Sequence, residues 1–252
     1  MLEPLAQWSS LSAATAVTRK TARVDFHREM NDGSFLNRRS HRGCEVELVT
    51  AGSRSPRVAA RQAEARRRIL EAARLVVSEQ GFAAAQVAVV ASIADVATGS
   101  IYRHFPSKAS LFSEMLREVC QRELQVVLAI LGEEGRTATE RIGAAVASFV
   151  DRALRGGGLS YAVIVEPMDP DIDEVRLDAR AGLAAAFAAT IREGISTGEL
   201  GPQDPEIRGA SIVGAFLEGV VAPLAARPVG PARRDEVARE IASFCKTAVT
   251  GA

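Results

Sequence analysis

Residues 86–108 read QVAVVASIADVATGSIYRHFPSK, and this stretch decides the fold. Val87, Val90 and Ala91 are spaced for one face of a short helix, about 86–93. Ala94 to Val96 make a tight turn, and a second short helix follows at about 97–103. In such a pair the second helix is the one that enters a DNA major groove, so its outer face must be small or hydrogen-bonding while its inner face anchors to a three-helix core. Val96, Ile101 and Phe105 supply the anchor together with Val87, Val90 and Ala91. Thr98, Gly99, Ser100, Tyr102, Arg103 and His104 are left for the duplex, and Gln86 is placed for the phosphate across the groove. Arg103 suits guanine or simple charge neutralisation. His104 suits the groove or the edge of the core equally. Pro106-Ser107-Lys108 opens the next helix, whose free N–H groups favour an anion and whose Lys108 adds a cation.

The composition around this segment is that of an all-α protein. Aromatic residues make up 5% of the 252 residues, and alternating β-branched runs are nearly absent. A net charge of zero hides a split: residues 54–122 hold 11 Lys/Arg against 6 Asp/Glu, and residues 123–252 hold 13 against 19. A basic front and an acidic back suit a protein that touches phosphates with one part only. Cys44, Cys120 and Cys245 have no paired spacing and no neighbouring His, which points away from a disulfide framework or a zinc site and towards reducing cytosol. No cofactor is implied. No apolar run approaches the roughly 18 residues that cross a bilayer, and the N-terminus lacks a secretion signal's pattern, so no membrane partner is expected.

Residues 1–55 show no sustained period and read as a mostly disordered extension, with Arg38, Arg39 and Arg42 as the charges of a possible DNA-feeling arm. Helix one follows at about 58–80, carrying Ile69, Leu70, Ala73, Val76 and Val77, with a left-handed cap at Gly81. Its Arg66-Arg67-Arg68 run reads as a solvated face. Ser107 caps a longer helix whose buried stripe is Leu111, Met115, Leu116 and Val119. After Gly132 to Gly135 comes a helix at about 137–154, then a flexible bend at Arg155-Gly156-Gly157-Gly158. A long helix spans about 171–196, and two more, about 205–224 and 232–249, are separated by Pro223, Pro228 and Pro231. The expected domains are a helix-turn-helix domain over 56–106 and an effector-binding and dimerisation domain over 107–252.

The run Gly99-Ser100-Ile101-Tyr102-Arg103-His104-Phe105-Pro106-Ser107-Lys108, followed by Leu111-Phe112 and preceded by Ile69-Leu70-Glu71-Ala72-Ala73 and Gly81-Phe82, closely resembles the DNA-binding domain of the TetR/AcrR family of bacterial repressors. The resemblance covers about 60–120 by motif. Ala85, Asp95 and Ala97 depart from it, standing where the family usually has a phosphate-contacting Thr, a turn Gly and a capping Ser or Thr. Asp tolerates a left-handed turn but places a negative charge near DNA. The resemblance implies a double-stranded DNA operator, an all-helical pocket for a small-molecule effector, and a homodimer built by the last two helices. Expected interface residues are Gly209, Ile212, Val213, Phe216, Leu217, Val220, Val237, Ile241 and Phe244. Pocket candidates are Phe149, Tyr161, Ile164, Met168, Leu183, Phe187 and Phe216, with Arg152, Glu166 and Arg180 as polar anchors. The expected function is a cytoplasmic repressor released from a palindromic operator by its effector.

Two rivals come from other classes. An architectural DNA binder would lack the effector response. An enzyme is suggested by Gly158-Leu159-Ser160-Tyr161-Ala162, which nearly spells a nucleophile elbow, but its last position is Ala and every histidine, His27, His41 and His104, lies upstream of Ser160. Asp169, Asp171 and Asp173 resemble a calcium loop, yet position six is Glu174 and position twelve Arg180, so a helix-start charge cluster fits better.

Overall fold

Three consecutive helices, α1 (Pro56–Ala84), α2 (Val87–Ile93) and α3 (Thr98–His104), precede a long α4 (Lys108–Leu131) in the computed structural model, which describes residues 56–226 and 229–251. The expectations for residues 1–55, for Cys44 and for Pro228 lie outside the described residues. Then come α5 (Ala138–Ile164), α6 (Pro170–Ser196), α7 (Pro205–Gly219), α8 (Val221–Ala225) and α9 (Pro231–Thr250), and no strand occurs among the described residues. The chain is all-α.

Buried side chains form two clusters. The first holds Ile69, Ala73, Val76 and Val77 of α1, Val90 and Ala91 of α2, and Ile101 and Phe105 from α3 and its end; Leu111, Phe112, Met115 and Leu116 of α4 close it. The expected division at 106/107 therefore falls just before the α4 residues that complete this core. Ala162 of α5 and Ile172 and Val175 of α6 also enter it. The second cluster runs from Val127 at the far end of α4 through α5, α6, α7, α8 and α9, with Phe216 4.6 Å from Phe149 and 5.9 Å from Phe187 between ring centroids. Each large apolar side chain buried here contributes about 1.5–3 kcal/mol.

Helix ends follow local chemistry. Ser107 accepts a hydrogen bond from Ser110 N–H, as its N-cap position requires. Thr137 and Glu140 form a capping box at the start of α5. Asp169 caps α6 and accepts from Asp171 N–H, with Pro170 in the first turn, while Asp173 takes Arg176 Nε at 2.7 Å. The acidic cluster is thus built into a helix start.

Three boundaries differ from expectation. Gly81 does take a positive φ, +74°, but its ψ of 174° is extended; it kinks α1, which resumes and runs to Ala84. The Phe82 N–H freed by the kink is accepted by Glu166 Oε2 at 3.0 Å, 84 residues away in sequence. The bend expected at Arg155 to Gly158 is present, but as a kink and not as a loop: α5 is helical on either side of one non-helical residue, Gly157, at φ 53°, and runs on to Ile164. The reason is packing, because a Cβ on Gly158 would lie 2.1 Å from the Ser78 carbonyl oxygen of α1. The expected helix over 205–224 breaks at Val220 into α7 and α8. The segment Pro205–Ala225, 21 residues, is long and apolar enough by length and composition to cross a bilayer, so the expectation of no run near bilayer length was too strict. Its Ile212, Val213, Phe216, Val220 and Leu224 point into the second core.

Two substitutions test the contact between α1 and the end of α5. Gly158→Ala must push two backbones apart and should lower the free energy of unfolding by about 1–3 kcal/mol. Glu166→Ala should cost about as much by orphaning the buried Phe82 N–H, and it should speed hydrogen exchange at Phe82 selectively. Urea titration with native-state exchange reads both, and unchanged values in both variants would refute this account of the joint.

Candidate nucleic-acid interface

α2 ends in a Schellman motif: Val96 N–H reaches Ala91 O at 3.0 Å and Asp95 N–H reaches Ser92 O at 3.3 Å. Asp95 takes the left-handed position at φ 53°, the one non-glycine with positive φ among the described residues. The turn therefore keeps its shape without glycine, as the tolerance of Asp for that region allows. Ala97, at the N-cap of α3, makes no side-chain cap bond. Ala85, where the resemblance expects a phosphate-contacting Thr, is fully buried.

α3 buries Ile101 and, just past its end, Phe105, and turns its other face outward. Thr98, Gly99, Tyr102 and Arg103 are exposed, Tyr102 by 50%, which is unusual for so large a ring. Ser100 and His104 are half-buried; Ser100 Oγ accepts from Arg103 Nη2 at 2.7 Å, and the His104 ring stands 6.3 Å from Phe105. Gln86 and Lys108 are exposed at the starts of α2 and α4, with Lys108 Nζ 5.8 Å from the Phe112 ring. All eight expected DNA-facing residues thus reach the surface at least in part. Val96, expected in the core, is half-buried.

A feature that the sequence reading missed lies beside α3. Arg57, Arg61, Arg66, Arg103 and His104 line one cleft between α1 and α3, and no acidic residue lines it. The spacing of Arg57 and Arg61, one helical turn apart, was the available signal. The triple-arginine run divides: Arg67 pairs with Glu64 and Glu71 on the solvated face, as expected, but Arg66 pairs with Glu114 of α4 and stacks 4.5 Å over the Phe105 ring. Arg66 ties α1, α3 and α4 together.

Farther along the chain, α4, α5, α6 and α7 line an apolar cavity of about 180 Å³. Phe149, Arg152, Ile164, Arg180 and Leu183 of the expected pocket residues line it, with Val119, Cys120, Leu159, Val163 and Leu217 added. Phe187 and Phe216 are fully buried behind it, and Tyr161 and Met168 pack into the two cores. Glu166 is no pocket anchor, since its carboxylate is committed to Phe82. Burial, then the neighbouring Glu123, pushes the Cys120 thiol up to about 11, so it stays protonated at neutral pH. Ser160 sits within α5, not at a strand-to-helix turn, and forms no nucleophile elbow.

The expected dimer surface needs a larger correction. Gly209, Ile212, Val213, Phe216, Val220 and Val237 are buried in the protomer's own core. Gly209 is glycine because a Cβ would lie 2.5 Å from the Ala184 carbonyl oxygen of α6, and Gly219 lies against Ile241 of α9. Leu217 and Ile241 are half-buried; Phe244 alone of that set is outward, at 64% exposure, matched by Ile207 at 64%.

Residues 69–115 match the family model described as bacterial regulatory proteins, tetR family. The HTH-type transcriptional repressor KstR of Mycolicibacterium smegmatis is 38% identical over 100 residues, 40% of this chain and 38% of that protein. KstR of Mycobacterium tuberculosis is 47% identical over 55 residues, 22% of this chain and 25% of that protein. The chain thus spans well under half the length of these relatives. Among solved structures, the regulator FadR of Bacillus subtilis in complex with stearoyl-CoA has a TM-score of 0.65 at 19% identity, covering 73% of this chain and 98% of its own. Reduced NemR of E. coli has a TM-score of 0.64 at 17% identity, covering 75% and 99%. At these identities the likeness is one of fold.

Point variants of the outer face separate the roles of its residues in a mobility-shift titration. Tyr102→Ala and Lys108→Ala should weaken binding to all DNA sequences, and Lys108→Ala should reduce the salt slope by about one. Arg103→Ala should cost about 1–3 kcal/mol and relax preference at one base pair if it reads a base edge. Nothing lies within 4 Å of a Cβ built on Gly99. Gly99→Ala should therefore stabilise the free protein by about 0.5–1 kcal/mol while weakening DNA binding, and unchanged affinity would mean the duplex does not approach that backbone.

Proposed function

We propose that this chain, whose residues 69–115 match the tetR family of bacterial regulatory proteins, is a homodimeric transcriptional repressor of that family, acting in the cytoplasm and released from its operator by a small-molecule effector. One observation carries the DNA-binding part: α3 spends its two large apolar residues, Ile101 and Phe105, on the core and leaves Thr98, Gly99, Tyr102 and Arg103 outward. The basic cleft beside it extends the footprint along α1. The repressor names of the mycobacterial relatives favour repression over activation.

The effector part rests on two helices that touch both the cavity and the first core. α4 begins at Lys108, packs Leu111, Phe112, Met115 and Leu116 into the first core, and lines the cavity one turn later with Val119, Cys120 and Glu123. Beyond its kink, α5 lines the cavity with Leu159, Ser160 and Val163, while Gly158 meets Ser78 and Ala162 enters the first core. Arg176, also on the cavity wall, donates to the Glu166 carbonyl at 3.0 Å, and the Glu166 carboxylate holds Phe82. A ligand that fits the cavity better in one arrangement of α4 and α5 biases the orientation of α3, and only that differential affinity drives release.

The homodimer is proposed through the outward face of α7, where Ile207, Ala210, Gly214 and Glu218 follow helical spacing and are all exposed, with Phe244 of the adjacent α9. Two copies then present their recognition helices about 34–36 Å apart, one turn of DNA.

Selection of bound fragments from the source genome, followed by mobility shifts with candidate metabolites, tests the whole reading; recovery of no preferred fragment would reject it. Phe244→Glu should shift the protein to monomer in light scattering and cut operator affinity at least about tenfold, because a single half-site forfeits the linked second contact. A dimer that persists unaltered would move the interface elsewhere.

A further inference from the structure

We propose that the effector is a small organic monocarboxylate with a compact apolar body of about one ring; this rests on the regulatory reading above and names its ligand. The cavity is lined almost wholly by apolar groups, yet two of its walls carry three arginines, Arg152 on α5 and Arg176 and Arg180 on α6, against one carboxylate, Glu123. Arg176 is spent on Asp173 and the Glu166 carbonyl.

Arg152 is only partly spent. Its Nε donates to Glu123 at 2.9 Å and its Nη1 to Ser148, but its Nη2 is buried with no acceptor among the described residues. A buried guanidinium N–H facing an apolar cavity calls for an acceptor, and an anionic oxygen forms the stronger bond. Arg180 makes no hydrogen bond or ion pair among the described residues. It stands with Ile164 and Leu217 where the cavity meets an open groove floored by Ala181, Ala184 and Gly214 of α6 and α7. One cation and a spare N–H, with a single carboxylate already bound by Arg152, leave the site short of negative charge.

The size follows from the cavity volume. About 180 Å³ slightly exceeds the roughly 150 Å³ of a cavity that accepts benzene. A ring or a short branched chain fills that volume with its carboxylate at the arginines.

The experiment is calorimetric titration of the full chain with benzoate, phenylacetate, cyclohexanecarboxylate and hexanoate, each against its primary amide, with stearoyl-CoA as the large competitor. A mobility shift on a selected operator fragment runs in parallel. At least one acid should bind at least about tenfold more tightly than its amide, and Arg180→Met should abolish that preference. Arg152→Gln should do the same; if it fails to fold, Arg180→Met, a residue with no structural partner, decides alone. Equal binding of acid and amide, preference retained in Arg180→Met, binding by none of the acids, or tighter binding of stearoyl-CoA would each overturn the proposal. Acids that bind with the expected preference but leave the operator complex intact would uphold the ligand class and refute effector-controlled release. Release by amides as readily as by acids would uphold the regulatory reading and refute the anionic ligand.

Discussion

A helix of seven residues cannot hold itself together in water, since isolated helices shorter than about 12–15 residues are marginal even in favourable sequences. α3 is that short, its N-cap residue offers no side-chain bond, and it exists because Ile101 and Phe105 are buried against α1 and α4. Arg66 reinforces the anchor by stacking on Phe105 while pairing with Glu114. Everything the outward face of α3 can do depends on that anchorage. Thr98 and Tyr102 on that face take no part in the anchorage, and Arg103 bonds to Ser100 of the same helix.

The same dependence makes α3 sensitive to distant events. Its supports, α1 and α4, are each gripped by elements that belong to the larger core: α1 by Gly158 and Glu166, and α4 by its own continuation past the cavity to Val127 and Leu131. Packed interiors resist continuous deformation, so a change in the cavity is passed along whole helices and not absorbed locally. The kinks at Gly81 and Gly157 lie on either side of this joint and allow the two chains to meet closely.

How far the site could be read from the residues varies with the kind of information involved. The outward set Gln86, Thr98, Gly99, Ser100, Tyr102, Arg103, His104 and Lys108 was legible because a short amphipathic helix has one apolar face, and the rest is outward by elimination. Arg57 and Arg61 were not, because a helix reading shows that they share a face but not that this face lies beside α3. The pocket was half legible: Phe149, Ile164 and Leu183 line the cavity, while the equally apolar Phe187 and Phe216 fill the core behind it. The expected interface fared worst, since apolar and small residues in α7 serve the protomer's own packing equally well, and Gly209 and Gly219 turn out to accommodate α6 and α9.

By itself the sequence determined what is local: the all-α class, the helix-turn-helix, the caps at Ser107, Thr137 and Asp169, and the apolar stripe of each helix, all of which rest on interactions between residues within about four positions of one another. Only the tertiary structure decided which apolar surface faces another helix, which lines a cavity and which faces water. It alone showed that the glycine run kinks one helix at Gly157 without ending it, that Glu166 serves Phe82, and that Arg152 keeps a buried N–H unspent. Those outcomes depend on segments as much as 84 residues apart meeting in space, and periodicity along one helix carries no information about its neighbour.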